Sequence, residues 1–245
     1  MRILSIDFDA IMFPCIRLYN DSCAGQENDT RIWEQLEARY GIKDFLSYDA
    51  NLYAQITKVV AKNVKHGAKF IPIQEHDELV TYLRNNDYMQ TDMDIVNLDY
   101  HHDIMYHRES ISSILDFDKW SCADWLGYLL LKNHNNVGTW IRCPGSDNYH
   151  PEHSGQDFGE RFSVKNLKDL DEIFEEPFDL VFLCLSPQWV PHQYHHLYDI
   201  IVDIAKIFST PLELPMNSIE DIAPAEENII SFPTPEPEGD EETHD

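Results

Sequence analysis

Basic residues are scarce in this chain: 18 lysines and arginines stand against 44 aspartates and glutamates, and the formal net charge is −26. Such a charge repels nucleic acid and anionic membrane surfaces, so we exclude both as expected partners. A cationic partner would instead be attracted. Much of the excess lies in an acidic C-terminal segment, where solubility alone accounts for it.

Paired cysteines and long apolar runs are also missing. The five cysteines include no Cys-x-x-Cys pair and are widely scattered, which does not indicate a disulfide framework. A reducing cytoplasm is therefore the expected location. Residues 1–7 form too short an apolar run for a signal peptide, and no stretch approaches the length of a membrane span. We expect neither export nor membrane insertion.

The composition changes once along the chain. With 245 residues, 43% of them hydrophobic, the chain can bury one substantial core. Beyond Ser209, prolines are interleaved with acidic residues up to a final Gly-Asp-Glu-Glu stretch. Such a segment cannot offset the entropy of its own ordering. We therefore predict a folded catalytic domain over residues 1–209 and a flexible, acidic, proline-rich tail over residues 210–245.

Short apolar runs alternate with helical patterns within residues 1–209. Strands are predicted at residues 2–6, 69–73, 94–98, 137–141 and 180–185. Helices are predicted at residues 30–40, 49–66, 77–85, 122–132 and 191–208. This alternation is typical of an α/β fold with a mostly parallel sheet. Pro72 marks its strand as an edge strand or a strand end.

The central motif, Asp99-Tyr100-His101-His102-Asp103, follows the apolar run at residues 95–98. Side chains along an extended strand alternate faces, so we expect Asp99, His101 and Asp103 to point the same way. Carboxylate and imidazole without thiolate suit divalent Mn, Fe, Co or Zn, and a bridging carboxylate suits a dinuclear hydrolytic site. Alternatively, this strand end is polar and rich in histidine by chance.

Two other predicted strands also deliver ligand-type residues at their ends. The first leads into Asp7-Phe8-Asp9, and residues 69–73 lead into Glu75-His76. Functional side chains of α/β sheets collect at the carboxyl ends of the strands. Four carboxylates and two neutral imidazoles would balance two divalent cations in a buried pocket. The predicted metal ligands are Asp7, Asp9, His76, Asp99, His101 and Asp103.

This set resembles the arginase (ureohydrolase) superfamily, a three-layer αβα fold. Its dimanganese site uses a single His, Asp-x-His-x-Asp and Asp-x-Asp-x-x-Asp-Pro, each after a strand. Here Asp-x-Asp comes first in the chain, which a permuted strand order would explain, and residues 7–14 lack the third aspartate and shift the proline. The resemblance covers the motif positions alone. It implies that Asp99 and Asp7 touch both metals, that His76 and Asp103 complete one, and that His101 and Asp9 complete the other.

Together with Ser-Pro-Gln-Trp-Val-Pro at residues 186–191, the motifs look most similar to those of the arginase-like peptide arginases. That resemblance implies a hydrolase of natural product biosynthesis, which converts arginine in a ribosomally made precursor peptide to ornithine and releases urea. A hydroxide held between two metals would attack the guanidinium carbon. The implied cofactors are two Mn²⁺, other divalent ions being possible, and the implied partner is the arginine-containing precursor peptide.

Two further roles require residues outside the ligand set. Guanidinium presents a planar fork of donors and calls for a carboxylate, for which Asp124 and Glu75 are candidates. Proton delivery to the leaving amine calls for a histidine. His150 and His153, in a loop rich in Gly, Pro, Ser and Asn, are candidates, as is His102 beside the ligands.

Two other functions stay open. A phosphatase of the haloacid dehalogenase type would use Asp7 as nucleophile and Asp9 as acid/base, but it leaves residues 99–103 unexplained, and Ile11 fits its motif only loosely. A non-enzymatic acidic protein would bind peptide without turnover. Metal content and activity would separate these functions.

Overall fold

The computed structural model describes residues 1–12, 32–41, 47–104, 118, 120–146 and 158–209, and these adopt a three-layer α/β fold. One six-stranded sheet lies between two layers of helices. The strands are β1 (Arg2–Asp7), β2 (Lys69–Ile73), β3 (Asp94–Asp99), β4 (Val137–Arg142), β5 (Phe162–Asn166) and β6 (Leu180–Cys184). The helices are α1 (Ile32–Tyr40), α2 (Ala50–Lys65), α3 (Asp77–Asn85), α4 (Trp125–Lys132), α5 (Leu170–Ile173) and α6 (His195–Ser209).

The strand order is β2-β6-β1-β3-β4-β5, and every pair of neighbours is parallel. The predicted α/β class is therefore confirmed. Pro72 lies in β2, an edge strand of this sheet, as predicted. The opposite edge, β5, was not predicted. Its residues are half-buried or exposed, so the sequence has no apolar run there.

The register of the sheet places four polar or ionisable residues in one row. Asp7 of β1 lies opposite Cys184 of β6, and Asp99 of β3 lies opposite Arg142 of β4. Because Ile6 pairs with Leu98, the next residues of β1 and β3 are also neighbours. Consequently Cys184, Asp7, Asp99 and Arg142 follow one another across the carboxyl end of the sheet.

The two faces of the sheet bury two separate hydrophobic clusters. Alternation along β1 sends Leu4 and Ile6 into one cluster and Ile3 into the other. The first cluster is completed by α2 and α6, which pack against each other, and the second by α3 and α4. Residues that represent the two clusters are Ile56, Val60, Ile201 and Val202 in the first, and Leu79, Leu83, Trp125 and Leu126 in the second.

Helix ends differ from the predictions where capping or a turn intervenes. In α2 the Asp49 carboxylate accepts hydrogen bonds from the amides of Asn51 and Leu52, so the helix begins after it. The helix predicted from residue 191 was wrong at its start. A 3₁₀ turn over His192–Tyr194 comes first, and α6 begins at His195.

All described helices and strands belong to one compact unit, Met1–Thr210. Among these helices, none combines the length and the apolar character needed to cross a bilayer. The predicted acidic tail, residues 210–245, lies outside the described residues.

Candidate metal centre

The six predicted ligands meet where β1 and β3 end and α3 begins. Asp7 ends β1, Asp99 ends β3, and His76 immediately precedes α3. Five of the six residues are nearly completely buried, whereas the His101 side chain is 19% exposed. His101 is therefore the most exposed of the six.

The first half of the cluster is centred on His76. Its Nδ1 lies 3.4 Å from Asp7 Oδ2, 3.5 Å from Asp99 Oδ2 and 3.2 Å from Asp103 Oδ2. The other ring nitrogen, Nε2, lies 3.2 Å from Ser5 Oγ. Metal-binding histidines commonly have one nitrogen among the other ligands while a hydrogen-bonding partner fixes the second. His76 has this arrangement.

The second half is centred on His101. Its Nδ1 lies 3.3 Å from Asp9 Oδ2 and 3.8 Å from Asp99 Oδ1. The imidazole also packs against the Trp189 ring, with 4.7 Å between the centroids. Within the described part of the chain, the buried Asp9 Oδ2 has no hydrogen bond of good geometry beyond its 3.3 Å contact with His101 Nδ1. A buried carboxylate oxygen that can still accept an interaction is well suited to bind a cation.

Asp99 belongs to both halves because each of its oxygens faces a different histidine. The ligand atoms of Asp9, Asp99 and His101 all lie within 4.8 Å of one another, as do those of His76, Asp99 and Asp103. Each of these groups could hold a metal ion. A third group of the same compactness combines Asp7 and His76 with Cys184.

Local hydrogen bonds explain why ligands recur at a spacing of two residues. Asp7 Oδ1 accepts the Asp9 amide hydrogen at 3.0 Å, and Asp99 Oδ1 accepts that of His101 at 2.7 Å. Such bonds, in which an aspartate accepts the amide hydrogen two residues later, turn the chain out of a strand. We predicted that Asp99, His101 and Asp103 point the same way because the strand continues through residue 103. That explanation was wrong. β3 ends at Asp99, and Asp103 has a positive φ of 50°.

Burial and crowding disturb the protonation of the cluster. Burial raises the pKa of Asp7 to about 7, with Asp9 adding to the effect and His76 opposing it. Burial also raises the pKa of Asp99, to which Asp103 and Asp9 contribute. Burial alone would lower the pKa of His76, but Asp7 and Asp103 outweigh it and raise that pKa to about 9. The ionised form of these crowded carboxylates is unfavourable without a nearby positive charge. A divalent cation would supply that charge.

The two candidate guanidinium-binding carboxylates lie in different surroundings. Glu75, partly buried and next to His76, accepts a hydrogen bond from Gln188 Nε2 to its Oε2 at 2.8 Å. Its pKa is raised, chiefly by burial. Asp124 lies at the N-cap position of α4, where its Oδ2 accepts the hydroxyl of Ser121 at 2.7 Å.

Only one of the candidate proton donors lies in the described structure. His102 is buried, and its Nδ1 accepts the amide hydrogen of Ile104 at 3.0 Å, so its ring stabilises the turn after β3. His150 and His153 lie outside the described residues.

Several residues that support the cluster were not predicted. Ser186 donates to Asp7 Oδ2 at 2.6 Å, Trp125 Nε1 donates to Asp103 Oδ2 at 2.6 Å, and Asn97 Nδ2 donates to Asp99 Oδ2 at 3.1 Å. Asn97 and Ser5 precede Asp99 and Asp7 by two residues in otherwise apolar strands. A polar residue on the same strand face as a ligand was therefore an available signal for both. Ser186 belongs to the Ser-Pro-Gln-Trp-Val-Pro motif of the resemblance, but no local signal connects it to Asp7 or Trp125 to Asp103.

Comparison with known proteins found no relative: no family model, no curated protein and no solved structure matches the chain.

Proposed function

We propose that this chain is a dinuclear metal hydrolase of the arginase type, which converts arginine side chains of a ribosomally made precursor peptide to ornithine and urea. Asp99 is the observation that carries the proposal. Its Oδ2 lies 3.5 Å from Nδ1 of His76, and its Oδ1 lies 3.8 Å from Nδ1 of His101. A carboxylate between two such groups is what a two-metal hydrolytic site requires.

The proposed ligand sets follow from these distances. His76 and Asp103 would hold one ion, His101 and Asp9 would hold the other, and Asp99 would be shared by both. Asp7 would join the His76 side through Oδ2, which lies 3.4 Å from the imidazole, rather than touch both ions as the resemblance implies. All ligand atoms in these sets are oxygen or nitrogen, a combination that suits Mn²⁺ and also accommodates Fe, Co or Zn.

The reaction adds water across the bond between the guanidinium carbon and Nε of arginine. Oxygen joins the carbon, the C–Nε bond breaks, and the leaving nitrogen takes a proton to become the ornithine amine. When bound, the two ions supply positive charge and lower the pKa of water, so that a nucleophile is available near neutral pH. His101, the most exposed of the six ligands, marks the side from which we expect the guanidinium to enter.

Glu75 and Gln188 are the residues we propose for guanidinium binding. The Glu75 carboxylate is oriented by Gln188 Nε2, and Gln188 Oε1 is buried and accepts no hydrogen bond from any described residue. Together they offer oxygen acceptors to a planar fork of N–H donors. Asp124 is the other candidate carboxylate, and its Oδ2 accepts the hydroxyl of Ser121.

Proton delivery remains assigned to His150 or His153. His102 is a weaker candidate because it is buried, with its ring packed against Trp140 and its Nδ1 accepting the Ile104 amide hydrogen. We expect a peptide to react better than free arginine, because binding energy from remote parts of a substrate can position its reacting centre. The proposal also assigns the enzyme to the cytoplasm, where such precursor peptides are made.

The test is to incubate the manganese-loaded chain with an arginine-containing precursor peptide. We expect urea release and a peptide mass decrease equal to the difference between arginine and ornithine. Asp99→Ala serves as the inactive blank, and Asp203→Ala, a change at an exposed residue of α6, serves as the matched control that keeps activity.

Three results would contradict the proposal. Urea from free arginine at a comparable kcat/KM would indicate an ordinary arginase. Phosphate release from a phosphoester would indicate the phosphatase, with Asp7 as its nucleophile. Peptide binding without turnover would indicate the binding protein.

A further inference from the structure

Cys184 lies beside the metal-binding aspartates, although neither proposed ligand set uses it. It ends β6, is completely buried, and pairs with Asp7 across the sheet. Its Sγ and the ligand atoms of Asp7 and His76 all lie within 4.8 Å of one another. A thiol, a carboxylate and an imidazole in this arrangement are three typical ligands of zinc and related ions.

We propose that Asp7, His76 and Cys184 form an alternative binding site for a thiophilic divalent ion, such as Zn²⁺ or Cd²⁺, which competes with the oxygen-rich set of His76, Asp99 and Asp103. The inference rests on the metal centre of the proposed function, but it does not depend on arginine as the substrate.

The competition follows from the position of His76, which belongs to both sets. Its Nε2 lies 3.2 Å from Ser5 Oγ and its Nδ1 faces the aspartates, so we assign Nδ1 to the ion in both sets. An ion that takes Nδ1 together with Cys184 therefore removes His76 from Asp99 and Asp103. The His76 half can therefore bind an ion through either of two ligand sets. A soft ion selects the set with Cys184, and a hard ion selects the set with Asp99 and Asp103.

Ligand chemistry assigns a different ion to each set. Thiolate selects soft or borderline ions, whereas carboxylates suit Mn²⁺ and similar harder ions. Before binding, the Cys184 thiol donates to the Gln74 carbonyl at 3.4 Å and lies 3.3 Å from Ser186 Oγ. When an ion binds, the thiol proton leaves to solvent and the sulfur becomes a thiolate ligand. A thiophilic ion should therefore inhibit the enzyme, and manganese should not occupy this set.

The other described cysteines provide matched controls. Cys143 is equally buried but packs in the cluster on the opposite face of the sheet, and Cys122 is exposed. All three are free thiols. Among the described residues, neither Cys143 nor Cys122 belongs to a compact group of potential metal ligands.

The experiment titrates Cd²⁺ into the metal-free, full-length chain and records the ultraviolet charge-transfer band of a cadmium–thiolate bond. We expect the band in the unaltered chain and in Cys143→Ser, and its loss in Cys184→Ser. Cys184→Ser should still bind manganese at full stoichiometry, which shows that it folds. In the unaltered chain, but not in Cys184→Ser, excess Cd²⁺ should displace manganese from the His76 half.

A second variant keeps the test independent of the folding of Cys184→Ser. Asp103→Asn weakens the oxygen-rich set but leaves the thiolate set intact, so it should lose the manganese ion beside His76 and keep the cadmium band. A band that persists in Cys184→Ser, or no band in the unaltered chain, would overturn the inference. A Cys184-dependent band in a chain that releases no urea would refute the proposed function and support this site.

Discussion

At the scale of single residues, Asp99 connects the two halves of the candidate metal centre. Its Oδ1 accepts the His101 amide and its Oδ2 accepts Asn97 Nδ2, so both oxygens are held in fixed directions. Each oxygen then faces a different imidazole. Two of the compact ligand groups contain Asp99. Asp103 belongs only to the one that also contains His76.

This difference predicts different metal losses in two alanine variants. Asp99→Ala should lose both ions, because it removes the ligand that the two halves share, whereas Asp103→Ala should lose mainly the ion beside His76. Metal analysis of the purified proteins measures this. A full complement of metal in Asp99→Ala, with Asp203→Ala as the reference, would refute the bridging role.

At the scale of elements, the support for the site comes from how helices are attached to the sheet. The buried Asn63 near the end of α2 donates from Nδ2 to the Val59 carbonyl and accepts the Phe178 amide hydrogen on Oδ1, both at 2.9 Å. The second bond attaches α2 to the segment that leads into β6. The end of β6 then carries Cys184 beside Asp7.

Replacing Asn63 with alanine should therefore destabilise the fold without removing metal. The change leaves the buried Phe178 amide without its partner, which typically lowers the free energy of unfolding by about 1–3 kcal/mol. Asn51→Ala in the exposed first turn of α2 is the matched control and should change it by less than about 0.5 kcal/mol. Urea denaturation measures both, and equal midpoints for the two variants would contradict this account of α2.

At the scale of the whole molecule, the sheet explains what the sequence could and could not predict. Apolar runs identified five of the six strands, and short motifs identified the residues that gather around Asp99. The motif signal is local because each aspartate turns the chain at its own position. Cys184 and Ser186 approach Asp7 only because β6 lies next to β1 in the strand order. The pairing of β6 with β1 is a property of the sheet topology, and no local sequence pattern predicts it.

The metal-free molecule should lose stability as the pH rises through the neutral range. In the folded chain the pKa of Asp7 is raised from 3.8 to about 7, and that of His76 from 6.5 to about 9. A group whose pKa is higher in the folded chain than in the unfolded chain stabilises the fold at a pH below its unfolded-state pKa. This contribution is lost as the pH rises through its folded-state pKa. The raised pKa values of Asp99 and His101 act in the same direction.

Bound ions should reverse this trend, because metal ligands must be deprotonated and proton competition weakens with rising pH. We therefore expect the Tm of the chelated chain to fall between about pH 5 and about pH 8, while the gain in Tm on adding Mn²⁺ grows over the same interval. Differential scanning calorimetry with and without Mn²⁺ measures both quantities. His76→Gln should flatten the upper part of the metal-free decline, because the residue that titrates there is gone. A metal-free Tm that rises with pH, or a manganese effect that shrinks, would show that the buried Asp/His cluster does not hold the excess protons.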